Sequence, residues 1–121
     1  MRIIPNYWFT LPMASPYRIM RLVLFFDLPM NTKSERRTYS RFRKYLINNG
    51  FTMVQFSVYA KIFPNRSSLD NYMMGLRNNL PKHGSIRAMA VTEKQYSNMF
   101  LLVGDKTLTE KAITEDPMVI L

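Results

Sequence analysis

Arg21-Leu22-Val23-Leu24-Phe25-Phe26-Asp27-Leu28-Pro29 sets five consecutive apolar residues between an arginine and an aspartate. A short unbroken apolar run of this kind, closed by a turn signal, has the pattern of a strand buried on both faces in the middle of a sheet. Proline cannot donate to a strand ladder, so Leu28-Pro29 ends it. Asp27 therefore sits at the carboxyl end of a central strand, and it is the only acid in the first 34 residues.

The next segment reads as a helix. Thr32-Lys33-Ser34-Glu35 matches a capping box, with Thr32 as N-cap and Glu35 three residues on. The helix is predicted to reach about Asn49, where Gly50 supplies a left-handed stop. Tyr39, Phe42 and Leu46 form its inward stripe, and Lys33, Arg37, Arg41 and Lys44 recur at helical spacing on another face. Phe51 to Phe63 is strand material with a change of phase. Phe51 and Met53 are apolar in the odd register, then Val54, Phe56, Val58, Ala60 and Ile62 in the even one. Such a shift predicts a bend, a bulge or a very tight connection between two strands. Ser67 or Ser68 is expected to cap a second helix, with Asp70 near its positive end and a stripe of Leu69, Tyr72/Met73, Leu76 and Leu80. Pro81 and Gly84 would end it. Ser85–Thr92 reads as a further strand, Glu93–Asn98 as a short turn or helical link, and Met99–Val103 as a last strong strand.

The predicted fold is α+β: a ferredoxin-like βαββαβ two-layer sandwich spanning residues 20–104, with an extra C-terminal strand. Two helices cover one face of such a sheet, and a second copy of the same chain is the simplest cover for the other, so a homodimer is expected. Residues 1–19 carry prolines at 5, 12 and 16 and no sustained period, and read as a dispensable extension. Met1, Met13 and Met20 all compete as the natural start. Residues 105–121 form a tail that is polar until Pro117-Met118-Val119-Ile120-Leu121, an apolar end that reads as a strand docking on a partner.

Composition limits the chemistry. The chain has no cysteine and one histidine, His83. That excludes a disulfide scaffold, a thiolate zinc site and a histidine metal cluster within one chain. No apolar run approaches the roughly 20 residues needed to span a bilayer, and a cytoplasmic protein with no membrane partner is expected. The formal charge is +9, unevenly placed: residues 1–104 hold fifteen Lys or Arg against four acids, whereas the tail holds two lysines against four acids. A basic body of this kind points to a polyanion, most simply nucleic acid.

Two sites are candidates. The first is Asp27, as a catalytic or metal-binding carboxylate. One carboxylate is too few for a metal-dependent phosphodiesterase, but two copies of Asp27 facing across a dimer axis would share a Mg²⁺ or Mn²⁺. Spacing alone equally allows Asp27 to accept hydrogen bonds from the loop after it. The second is the cationic stripe. Lys33, Arg36, Arg37, Arg41, Arg43 and Lys44 fall within twelve residues of one helix, with Glu35 as the single acid among them. A solvated helix face usually mixes signs to gain i,i+4 pairs, and this one does not. It fits the phosphates of double-stranded DNA, without regard to base sequence. Arg18 and Arg21 would extend the patch, as would Lys61, Arg66, Arg77 and Arg87. Tyr39, Phe42, Phe51 and Phe56 fall on core stripes and are read as packing rather than as platforms for bases.

Four stretches together resemble one family. Met20–Pro29 is similar to the opening strand of the CRISPR-associated protein Cas-two, and Glu35–Leu46 to that family's first helix. Gly50–Tyr59 is similar to its second strand pair, with Gln55-Phe56-Ser57-Val58-Tyr59 the most telling motif. Val91-Thr92-Glu93-Lys94-Gln95-Tyr96 looks like the link before the last strand in members found beside type II-A systems. The resemblance covers roughly residues 13–104. It implies a homodimeric scaffold that bridges dimers of the integrase Cas-one and holds short foreign DNA duplexes for insertion as new CRISPR spacers. It also implies a metal-dependent endonuclease, acting on RNA or DNA through Asp27, as the rival reading. By the same analogy the 117–121 segment would dock on Cas-one. A single-strand RNA-binding module on this fold is a further rival, and would expose aromatics on its sheet.

Overall fold

A computed structural model describes residues 18–104. The expectations for residues 1–17 and for the tail, including the docking residues Pro117–Leu121, lie outside the described residues. The elements run in the order β1 (Met20–Asp27), α1 (Lys33–Asn48), β2 (Thr52–Gln55), β3 (Val58–Phe63), α2 (Arg66–Leu76), a 3₁₀ turn (Arg77–Asn79), β4 (Ser85–Thr92) and α3 (Glu93–Ser97). The four strands form one sheet in the order β2-β3-β1-β4, every neighbouring pair antiparallel. This is the ferredoxin-like α+β arrangement, with β1 central.

Register decides which residues meet. Leu24 lies between Tyr59 and Ala88, and Leu22 between Lys61 and Ala90. Side chains alternate across a strand, so the even residues of β1 face α1 and α2 and the odd ones face the other side. On the helical side Leu22, Leu24, Tyr59, Leu46 and Leu69 are fully buried, joined by Phe26, Tyr39, Phe42, Phe51, Phe63 and Leu76. Full burial of one such side chain is worth about 1.5–3 kcal/mol. The opposite face carries a smaller cluster of Val23, Ala60 and Tyr96, with Val54, Val58 and Val91 packed around it. Tyr96 comes from α3, so the expected link is a short helix that covers part of the second face. Phe25, Ile62 and Met89 on that face stay exposed.

Local signals explain most boundaries. The Thr32–Glu35 capping box forms as read, and Gly50 takes φ +91° just after the helix. The phase change in 51–63 is a two-residue turn, Phe56-Ser57, with a register irregularity between Met53 and Gln55. Ser57 is the one non-glycine with positive φ among the described residues.

Four expectations need correction. Asn65, not Ser67 or Ser68, caps α2, its side chain accepting from the Ser68 N–H at 2.8 Å. The α-helix ends at Leu76, before Pro81, and Leu80 is exposed. Phe56 leaves the core stripe, because the tight turn interrupts the even register, and it is 69% exposed. The extra strand at Met99–Val103 is not formed. The run stays outside the sheet and pairs with neither of its edge strands, β2 or β4, within the described chain. Phe100, Leu102 and Val103 are exposed in consequence.

Candidate nucleic-acid interface

α1 presents the basic surface, and its cap explains why that surface carries one sign. The Thr32 hydroxyl accepts from the Glu35 N–H at 3.1 Å, while Glu35 Oε1 accepts from the N–H groups of Asn31 and Thr32, both at 2.9 Å. The only acid of the helix is thus drawn onto the backbone amides at its positive end, where a carboxylate is favoured. Lys33, Arg37, Arg41, Arg43 and Lys44 are all exposed, and Lys33, Arg37, Arg43 and Lys44 make no side-chain hydrogen bond or ion pair among the described residues. Arg36 Nη1 donates to the carbonyls of Met30 and Asn31, each at 3.2 Å, and Arg41 Nη2 reaches Thr38 Oγ1 at 3.4 Å. Lys33, Arg36, Arg37, Ser40 and Arg41 line one open hollow on the outer side of the helix.

The scattered cations divide. Arg18 is half-buried in the turn before β1. Arg21 does not belong to the basic surface: it is 3% exposed, and its Nε and Nη2 donate to the two carboxylate oxygens of Glu93 at 2.6 and 3.0 Å. Its guanidinium also stacks 4.0 Å from the centre of the Tyr96 ring. An odd position on β1 faces α3, and a desolvated arginine there requires a carboxylate. Lys61 is engaged with the Asn49 carbonyl and the Tyr72 ring, and Arg66 with Asp70. Arg77 and Arg87 are exposed, Arg87 on the second face of the sheet.

Asp27 is exposed at the end of β1, paired in register with Ser85. Gly84, expected only to stop the second helix, is what makes that close approach feasible. It takes φ +99°, and a Cβ there would meet the Asp27 carbonyl oxygen at 2.8 Å and Leu28 Cδ2 at 2.7 Å. No group of three or more His, Cys, Asp or Glu side chains gathers among the described residues. A divalent cation such as Mg²⁺ needs several oxygen ligands in near-octahedral array, and one exposed carboxylate in one chain does not provide them.

The turn between β2 and β3 lies against the same end of β1, since the Phe26 N–H donates to the Ser57 carbonyl at 3.0 Å. Ser57 Oγ and Tyr39 Oη are 3.0 Å apart. The Phe56 ring stacks on Tyr39, centroids 5.6 Å apart and planes 17° from parallel.

A one-sheet α+β protein with a cationic helix and an exposed strand-end carboxylate is the class that this fold and surface define. The family model for CRISPR associated protein Cas2 matches residues 20–99. Curated relatives named CRISPR-associated endoribonuclease Cas2 include one from Acidovorax ebreus, 46% identical over 78% of this chain and 92% of its own. One from Treponema denticola is 42% identical over 84% of this chain and all of its own, and one from Streptococcus mutans is 45% identical over 72% and 80%. The chain belongs to the Cas2 family of CRISPR-associated proteins. Among the described residues no helix is long and apolar enough to cross a membrane.

Proposed function

We propose that the protein is a homodimeric scaffold that binds double-stranded DNA through phosphate contacts and bridges dimers of the integrase Cas-one during CRISPR spacer acquisition. The observation that carries this reading is the state of α1. Its sole acid is held in the cap, so the cations behind it stand without counter-charge on one exposed helix face. Neutralising phosphates with such a face releases counterions and gives salt-dependent binding with little regard to base sequence. The dimer is supported by the second sheet face, where Phe25, Ile62 and Met89 stay exposed beside a small buried cluster. The exposed apolar run Met99–Val103, which pairs with no strand of its own chain, supports it too.

Reversing Arg37 and Arg41 to Glu alters four positions in the dimer. Duplex affinity is expected to fall by orders of magnitude, and the log–log salt slope to flatten by about 0.9 for each phosphate no longer neutralised. The helix should survive, because both residues face away from Tyr39, Phe42 and Leu46 and Glu is a good helix former. An unchanged affinity and slope in the folded variant would move the DNA to another surface.

The endoribonuclease name of the curated relatives favours a second reading, in which Asp27 of two copies forms a Mg²⁺-dependent nuclease site across the dimer axis. Asp27→Ala separates the two. The scaffold reading expects the dimer and duplex binding to persist with spacer integration intact, whereas loss of integration with an intact dimer would assign Asp27 a catalytic or metal role.

A further inference from the structure

Phe56 is the feature of this surface that packing does not explain. A phenylalanine gains stability by leaving water, yet this ring is 69% exposed and rests one face on Tyr39. The backbone beneath it is held in an unfavourable shape to keep it there. Ser57 sits at φ +63°, a region that non-glycine residues seldom enter, and strain of this kind persists only where the surroundings enforce it. Here they do: the Ser57 carbonyl takes the Phe26 N–H, and its hydroxyl meets Tyr39 Oη. The outcome is an aromatic ring with one face on Tyr39 and the other turned to solvent. The helix that backs it carries cations suited to a nucleotide's phosphate. Tyr39 lies on α1, and Arg36 and Arg43, three before it and four after, share its side of that helix.

We propose that Phe56, backed by Tyr39, is a stacking platform for an unpaired nucleobase, with the cations of α1 holding the adjoining phosphate. The ligand is a single-stranded stretch of nucleic acid, such as the overhang of a duplex. A flat π-face takes any base, and single-strand binding surfaces combine such faces with a cationic track. The proposal rests on the phosphate-binding role of α1 proposed above and adds to it the recognition of unpaired ends.

The experiment compares a blunt DNA duplex with the same duplex carrying a short single-stranded overhang of DNA or of RNA, using the full chain and the variants Phe56→Ala, Phe56→Leu and Phe56→Trp. Phe56→Ala is expected to weaken overhang binding roughly 5- to 100-fold and leave blunt-duplex affinity and its salt slope unchanged. Phe56→Trp should restore binding, and its fluorescence, taken as the difference from the parent containing Trp8 alone, should be quenched by the overhang. The DNA and RNA arms tell which strand is preferred. Phe56→Leu binding as well as wild type would overturn the platform, since an apolar contact without a π-face would then suffice. So would equal losses on blunt and overhang duplexes, or an alanine variant that sediments as monomer, which would place the ring in a subunit contact. Blunt binding intact with no effect of Phe56 defeats this inference alone; absence of any duplex binding defeats the underlying reading of α1 as well.

Discussion

The two faces of the sheet are built to different standards of completeness. The face under α1 and α2 is finished within one chain, with Leu22, Leu24, Tyr59, Leu46 and Leu69 wholly removed from water. The other face holds Val23, Ala60 and Tyr96, and is pinned by a partly buried ion pair rather than by a second layer of hydrophobic side chains. Phe25 is 37% exposed there, Ile62 42% and Met89 50%. The difference separates what makes the chain fold from what makes it available to a partner. A small domain has too little chain to build a core on both sides of a sheet, and the incomplete side becomes the natural place for association.

The largest expected effect tests that division directly. Leu24→Ala, on the finished face, should cost about 3–5 kcal/mol, since the rigid surroundings would retain most of the cavity. Met89→Ala, on the open face, should change the stability of the protomer by less than about 1 kcal/mol and weaken self-association instead. Urea unfolding at fixed protomer concentration, together with sedimentation, measures both, and comparable losses of stability would erase the distinction between the faces.

Next in size is the ion pair. Glu93→Gln leaves the Arg21 guanidinium, whose side chain is 4% exposed, without its counter-charge, and about 3 kcal/mol should be lost. Replacing both partners by apolar residues, Arg21→Met with Glu93→Leu, should recover most of that loss. A double variant no better than the single one would show that α3 depends on the charges themselves. The same unfolding measurement decides it.

The smallest effect belongs to the finished face. Burial, and after it the neighbouring Tyr45 phenol, push Tyr72 from its ordinary 10.0 up to about 12. The unfolded chain therefore releases this proton first. The stabilising contribution is complete below pH 10 and is lost as pH rises from 10 through about 12. Tyr72→Phe should remove that component of the alkaline transition, and parallel stability–pH curves for the two proteins above about pH 10 would contradict it.

Much of the fold was legible because its signals are local. The apolar run 22–26 announced the central strand, Thr32 and Glu35 the start of α1, Gly50 its end, and the phase change in 51–63 the strand pair. The misreadings came where two local signals competed or where a partner was needed. Asn65 outranked the serines as the cap of α2, and Met99–Val103, as apolar as any strand, pairs with neither edge of the sheet in its own chain. On the candidate site, the α1 stripe and the strand-end position of Asp27 could be read from spacing, whereas the closeness of Gly84 to Asp27 depended on how β4 meets β1.

Sequence alone determined the sign of the surface, the length and caps of the helix that bears it, and the class of the fold, since charge, periodicity and capping act between residues a few positions apart. Tertiary structure decided which cations reach the surface and which aromatic rings leave the core. Arg21 and Arg37 are the same residue type, but the first lies on a strand face closed by α3 and is neutralised there by Glu93. Phe42 and Phe56 are alike in the same way, yet helix packing buries the one, and a turn enforced by the backbone around Ser57 puts the other out in water. Register and the packing of distant elements set these outcomes, and neither is a property of any short stretch of chain.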